Sequence, residues 1–292
     1  MKTTDQRVPI AVIGGSGLYD LEGLDNLEEH DIETPFGAPS APIRVGELDG
    51  RRVAFVPRHG DHHQHNPTNV PYRANIWALK SLGVFWLISV SACGSLKEEI
   101  VPGDIVIPDN IIDKTFRRPN TLYDELAVHV GLTHPYHPML RQVFLECLAD
   151  EDELEVHDGG TYVCMEGPAF STRAESNLHR DWGASLIGMT AMPEARFARE
   201  AEMCYATIGL PTDYDVWRED EESVEVESVL AILRQNITNV RRILGRVIPA
   251  IPLERESECS ASRALEDAIM TNPEAIDATT REKLAVFLGD YL

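Results

Sequence analysis

Short apolar runs recur along the first 215 residues, each bounded by glycine, proline or polar residues. They are "VPIAVIGG" (8–15), "RRVAFVPRHG" (51–60), "VFWLISVSACG" (84–94), "GDIVIPDNII" (103–112), "GGTYVCMEGP" (159–168), "ASLIGMT" (184–190) and "CYATIGLPTDYD" (204–215). Runs of this length and flanking predict strands. Between them the period lengthens. "PYRANIWALKSLG" repeats apolar residues at Ile76 and Leu79 and stops at Gly83, a helix with a C-terminal signal. "MPEARFAREAEM" opens on Pro193 and Glu194, both favoured in a first helical turn. From 226 to 247 the apolar positions Val226, Val229, Leu230, Leu233, Ile237, Val240, Leu244 and Val247 fall three or four apart, one face of a long amphipathic helix. "PAIPLERESE" ends it, and the tail from about 260 reads as two short helices separated by "NPEAID". Alternating strands and helices predict an α/β layered sheet. Residues 1–250 are expected to form the α/β domain and 251–292 a helical C-terminal appendage, packed on the body or on a neighbouring subunit.

Composition narrows the function. The chain has 292 residues, is 43% apolar and carries a formal net charge of −22. So acidic a chain is not expected to bind nucleic acid, which needs a basic surface. The acid gathers in "ADEDELEVHD" (149–158) and "REDEESVEVE" (218–227), read as solvated surface segments. No run of 18 apolar residues spans a membrane, and no signal-peptide pattern opens the chain. The five cysteines form no C-x-x-C pair, which fits a reducing, cytoplasmic location better than a disulfide framework or a structural zinc.

The glycine cluster "IAVIGGSGLYD" (10–20) raises the question of a dinucleotide. The G-x-G-x-x-G fingerprint fails, because Gly15-Ser16-Gly17 is followed by Leu18, Tyr19 and Asp20. The phosphate-loop lysine is absent too. What remains is a turn whose N–H groups bind a small anion, or a plain strand-to-loop turn. In an open α/β sheet, ligands bind beyond the carboxyl ends of the strands. Those ends carry Ser16; Arg58 and His59; Ser91 and Ala92; Glu166; Met189 and Thr190; Asp213 and Asp215. Arg58 could grip an oxyanion through two parallel hydrogen bonds, and the hydroxyls and His59 could each donate one more. As a set they suit inorganic phosphate; singly, each is read as a loop cap.

Asp213 and Asp215 flank Tyr214, so an extended backbone places both carboxylates on one side. One of two close acids is pushed towards its protonated form. Together they could donate to a ring nitrogen and accept from an exocyclic amine, as adenine requires; an Asx-type turn is the other reading. "RHGDHHQH" (58–65) offers four imidazoles but meets neither H-x-H-x-D-H nor H-E-x-x-H. In "GPAFSTRAE" (167–175) Phe170 either stacks on a base or fills core at a helix start.

The segments "IGGSGL", "ETPFG", "RHG", "NIWALK", "SACGSL", "PGDIVIPD", "EGPAFSTRAE", "GMTAMPEA" and "TDYDVW", in this order, resemble the 5′-methylthioadenosine phosphorylases, of the trimeric branch of the purine nucleoside phosphorylases. The resemblance covers residues 8 to 245. It implies a mixed, distorted sheet flanked by helices, a homotrimer or a hexamer of two trimers, and no organic cofactor or metal, with phosphate as co-substrate. Carried over by position, Ser16, Arg58, His59, Ser91, Ala92 and Thr190 bind phosphate. Met189 lies under the ribose and Phe170 contacts the base. Asp213 and Asp215 are the catalytic pair at N7 and the amine. Ser171 and Val226 match positions tied to substrate preference. His63, Val229 and Leu230 line the methylthio pocket, and His129 reaches into a neighbour's site. The implied reaction is phosphorolysis of 5′-methylthioadenosine. A 6-oxopurine nucleoside or methylthioinosine phosphorylase is the alternative, a His-cluster metallohydrolase a more distant one, and a non-catalytic nucleoside-binding protein the third.

Overall fold

In the computed structural model, residues 7–15, 18, 20–151, 153–218, 226–254, 260–289 and 291 are described. Eleven strands among them form one sheet. These are β1 (Ile10–Gly14), β2 (Leu24–His30), β3 (Ile43–Leu48), β4 (Arg51–Pro57), β5 (Trp86–Ser95), β6 (Ile105–Ile107), β7 (Asn110–Lys114), β8 (Val156–Asp158), β9 (Thr161–Met165), β10 (Leu186–Gly188) and β11 (Cys204–Asp213). Six helices accompany them: α1 (Tyr72–Leu82), α2 (Pro138–Leu148), α3 (Arg173–Asp181), α4 (Ala191–Glu200), α5 (Val226–Ala250) and α6 (Ala278–Leu288). The main path of the sheet is β2-β3-β4-β1-β5-β10-β9-β7, with β11, β6 and β8 branching from β5.

Each expected strand run contains a strand, and "GDIVIPDNII" contains two. β1 is parallel to β4 and β5, and its residues alternate between two cores. Ala11 and Ile13 face α1 and α4, joining Ile76, Leu79 and Phe197. Ile10 and Val12 face the other way, joining Phe144 of α2 and Val240, Leu244 and Val247 of α5. A strand buried on both faces reads as a continuous apolar run, as these do.

The ten-residue β5 decides where the site lies. Residues 86–89 pair with β1 on one side, and 86–94 pair with β11 on the other. Beyond Ser89 the β1 partner ends, and β10 joins antiparallel only at Gly94 and Ser95. The backbone from Val90 to Cys93 therefore has a β-partner on one side only, and a cleft opens there between β1 and β10.

The tail departs from expectation in part. Residues 260–268 are successive turns closed by i→i+3 bonds such as Ala268 N–H to the Leu265 carbonyl, and only α6 is an α-helix. The tail packs on the body. Leu265, Leu284 and Phe287 share the core with α1 and α4, and Val128 and Ile269 form an antiparallel bridge. Among the described residues no helix is long and apolar enough to cross a membrane.

Candidate active site

A cavity of about 370 Å³ fills the cleft beside β5. Its lining brings together Gly15, Arg58, His59, His63, Ser91, Ala92, Phe170, Met189, Thr190, Asp213 and Asp215. These residues come from six separated stretches of chain, and the split of the sheet makes them neighbours. Ser16 lies outside the described residues. So do the side chains of Val226, Val229 and Leu230, in the first turns of α5; Ile237, two turns further on, lines the cavity.

Arg58 follows the last residue of β4, and its N–H donates to the Gly14 carbonyl (2.8 Å). Its guanidinium is buried, and most of its donors are already used. Nε and Nη2 face the carboxylate of Glu194, with Nη2–Oε2 at 3.0 Å. Nη2 also reaches Ser89 Oγ (2.8 Å) and the Ile13 carbonyl (3.2 Å), and Nη1 donates to the Val90 carbonyl (2.9 Å). One Nη1 hydrogen remains without a partner among the described residues, and the two-pronged grip expected of Arg58 is turned on Glu194. Burial opposes the guanidinium charge, and Glu194 more than offsets it, so Arg58 is held charged. Tyr205 Oη (3.2 Å) and Ser89 Oγ (3.3 Å) also donate to Glu194.

His59 differs from the donor expected. Its Nδ1 lies 2.8 Å from the His65 carbonyl oxygen, which only accepts, so Nδ1 carries the hydrogen. Burial, the Arg58 charge and the stacked His63 ring (centroids 4.5 Å apart) push its pKa down to about 4, against the pull of that carbonyl. In the neutral ring Nε2 is an acceptor. Among the described residues no group of three or more His, Cys, Asp or Glu could hold a metal ion, so the histidine run assembles no ligand set.

The hydroxyls form a chain. Ser91 Oγ lies 3.2 Å from Thr190 Oγ1 and 3.0 Å from Tyr162 Oη. Tyr162 sits under Gly188, where a Cβ would stand 1.8 Å from the phenol oxygen. A glycine there lets the phenol support the two hydroxyls.

At the other end of the cavity the strand β11 finishes at Asp213, and Asp215 takes the left-handed conformation (φ 53°). The two carboxylates share the cavity through a turn, not through extended alternation. Asp215 N–H donates to Asp213 Oδ1 (2.8 Å), an Asx-type turn. Thr212 Oγ1 donates to Asp213 Oδ2 (2.7 Å). Asp215 is buried, and its Oδ2 has no hydrogen-bond partner. An unpaired buried carboxylate oxygen costs free energy, so this atom is set for an incoming donor. A Cβ at residue 94 would stand 3.0 Å from Asp213 Oδ1, so Gly94 keeps the approach open. Phe170 is 53% exposed at the mouth.

Two expected residues lie away from the cavity lining. Ser171 is buried with its hydroxyl 3.8 Å from the Met165 sulfur, and His129 is on the surface, its N–H donating to the Ala268 carbonyl. Sequence reasoning passed over four partners. Glu194 was read as a first-turn acid, and Thr212 and Tyr162 stood within strand runs without chemistry. Glu166, seen only as a strand end, accepts from Thr68 Oγ1, from the N–H groups of Phe116 and Arg117, and from Arg118 Nε. Burial opposes its charge, but these four donors prevail and bring its pKa down to about 2. The apolar surroundings of "MPEA" and the lone arginine of "PRHG" were the signals available for a buried pair; sequence distance hid it.

The chain matches the phosphorylase superfamily over residues 9–249. It is 50% identical over 285 residues to an S-methyl-5′-thioadenosine phosphorylase of Geobacter sulfurreducens, covering 97% of this chain and 99% of the relative. The structure of a methylthioadenosine phosphorylase from an Antarctic soil metagenomic library superimposes with a TM-score of 0.91 at 44% identity, covering 97% of this chain and 99% of that one. That of the Schistosoma mansoni methylthioadenosine phosphorylase in complex with adenine gives a TM-score of 0.85 at 33% identity, covering 90% and 99%. With this similarity over almost its whole length, the chain belongs to the phosphorylase superfamily and, within it, to the S-methyl-5′-thioadenosine phosphorylases.

Proposed function

We propose that the cavity cleaves the N-glycosidic bond of 5′-methylthioadenosine with phosphate, releasing adenine and 5-methylthioribose 1-phosphate. The observation that carries this is the pairing of two unlike ends in one cavity. Arg58 and the Ser91–Thr190 hydroxyls suit a tetraoxyanion. Asp213 and the unpartnered Asp215 Oδ2 suit a ring nitrogen and an exocyclic amine.

Phosphate held at the first end stabilises the positive charge that develops at C1′ as the bond to N9 opens, then bonds to C1′ with inversion. Asp213 offsets the charge growing on the departing adenine by donating to N7. Asp215 Oδ2 accepts from the amine. Phe170 and Met189 hold the nucleoside between the ends, so that orientation contributes to the rate. An acceptor facing the six-position favours an amine over a carbonyl, which sets this reading apart from a 6-oxopurine phosphorylase. Phosphate is a substrate, and the reaction needs no metal or organic cofactor. Ser16, Val226, Val229 and Leu230 complete the phosphate and methylthio ends in this proposal, with Ser171 and Val226 tuning preference.

We further propose a trimer in which the surface His129 enters a neighbour's cavity. A cytoplasmic location fits the four described cysteines, none of which is in a disulfide. The test is adenine release from 5′-methylthioadenosine with and without phosphate, beside methylthioinosine and inosine. Phosphate-dependent release favouring the 6-amino substrate supports the reading. Release without phosphate, or a preference for the 6-oxo substrates, overturns it.

A further inference from the structure

Asp213 must both keep and surrender a proton if it is to serve the base, and its surroundings decide which oxygen does so. Oδ1 accepts the Asp215 N–H at 2.8 Å, and an amide can only donate. A proton on this carboxyl therefore sits on Oδ2. The Thr212 hydroxyl is a partner of Oδ2, 2.7 Å away, and the same hydroxyl lies 3.3 Å from the Cys93 carbonyl oxygen. Thr212 and Cys93 are 3% and 4% exposed, and both line the cavity. A hydroxyl has one hydrogen and two lone pairs, and its rotor is free to choose between two acceptors.

We propose that Thr212 is a positioning residue whose hydroxyl turns from the Cys93 carbonyl onto Asp213 Oδ2 as that carboxyl gives up its proton. The inference rests on the functional reading above. With Asp213 protonated, the Thr212 hydrogen turns to Cys93, no hydrogen bond joins Oγ1 to Oδ2, and Oδ2–H is directed at N7. The C1′–N9 bond breaks with its electron pair leaving on the base, and N7 takes the Oδ2 proton. Oδ2 is now anionic, and the Thr212 hydrogen swings onto it. Hydrogen phosphate forms the C1′–O bond and releases its own proton. Asp213 takes one proton back from solvent before the next turnover, which closes the balance. The Thr212 bond to Oδ2 strengthens only as negative charge appears there. An interaction made in the transition state and not in the ground state raises kcat and leaves substrate binding alone.

The experiment is steady-state kinetics with 5′-methylthioadenosine and phosphate on Thr212→Val, which removes the hydroxyl at nearly constant volume, and on Thr212→Ser. A hydrogen bond to a charged group implies that kcat falls about ten- to a hundredfold in Thr212→Val. Both KM values stay close to wild type, and Thr212→Ser recovers most of the loss. Unchanged kcat in Thr212→Val overturns the proposal. So does a rise in KM with kcat intact, or a serine variant as slow as the valine one. If Thr212→Val does not fold, Thr212→Ser and Thr212→Ala make the same comparison, since both lose the methyl and only alanine loses the hydroxyl; equal kcat then overturns it. If the wild-type protein itself releases no adenine, the functional reading falls and this proposal falls with it.

Discussion

The two ends of the cavity are built on opposite plans. At the Arg58 end the polar groups are already satisfied. Glu194, Ser89, Val90 and Ile13 occupy the guanidinium, and Tyr162 and Thr190 occupy Ser91. At the Asp213 end an oxygen of Asp215 is buried without a partner, and its backbone is in a conformation few residues adopt. The Arg58 end is preorganised: satisfied partners fix the guanidinium in place, and a single Nη1 hydrogen is left for an anion. The Asp213 end stores a cost that a ligand with a matching donor removes. Affinity for the anion should therefore depend on the framework behind the site, and choice of base on two or three carboxylate oxygens.

The sharpest way to break this contrast is at the buried ion pair. Arg58→Met leaves Glu194 as an uncompensated buried carboxylate, and the expected loss is about 3–5 kcal/mol of stability, read by urea unfolding. Arg58→Met with Glu194→Leu should recover most of that stability, because an apolar pair of similar volume replaces a buried ion pair at little cost, yet should stay inactive. If the double variant is as unstable as the single one, the Arg58 end is not framed by this pair.

At the other end, Asp213→Asn exchanges a carboxyl that can give up a proton for an amide that cannot, with little change of shape. We expect kcat/KM for 5′-methylthioadenosine to fall by about a hundredfold or more, with activity towards the 6-oxo analogue rising. Stability should change little. Retention of the 6-amino preference would contradict the assignment of the base end.

Phe170→Ala removes a half-exposed ring at the mouth. A stacking loss of about 1 kcal/mol raises the nucleoside KM about fivefold and leaves the phosphate KM unchanged. A change in the phosphate KM instead would show that the two ends are not independent.

The smallest effect concerns pH. His59 in the folded protein has a pKa near 4, below its ordinary value near 6.5. Between these values the unfolded chain binds a proton that the folded chain refuses, so stability falls as pH drops from about 6.5 to 4. Above that window the contribution is fully present. His59→Gln should flatten this part of the stability-against-pH curve while leaving stability near pH 7.5 almost unchanged. A variant with the wild-type slope would mean that His59 is not held neutral.

Particular elements show what was legible. β1, β4, β5 and β11 were plain as apolar runs because strands buried on both faces cannot hide. β2, "LDNLEEH", was missed because it lies exposed at a sheet edge and holds no apolar pattern; pairing with β3 makes it a strand. α3 is legible only as a helix start after Phe170, because its nine residues are mostly polar, although Thr172 and Glu175 form a capping box that the spacing S/T-x-x-E announces. In the site, Arg58, Ser91, Thr190 and Asp213 were legible as polar residues at strand ends. Of the two readings of Asp213 and Asp215, extended alternation and an Asx-type turn, the turn is the one that joins them.

The sequence by itself determined the layered α/β character, the strand ends that carry polar chemistry, and the nucleoside-phosphorylase kinship, because these depend on local period and on short motifs. Only the tertiary structure decided that Arg58 spends its forked edge on Glu194, 136 positions away, that His59 presents an acceptor, and that Thr212 stands between Asp213 and Cys93. Those facts turn on which donor meets which acceptor in space. Hydrogen-bond partners are fixed by position in space to a few tenths of an ångström, which distance along the chain does not encode.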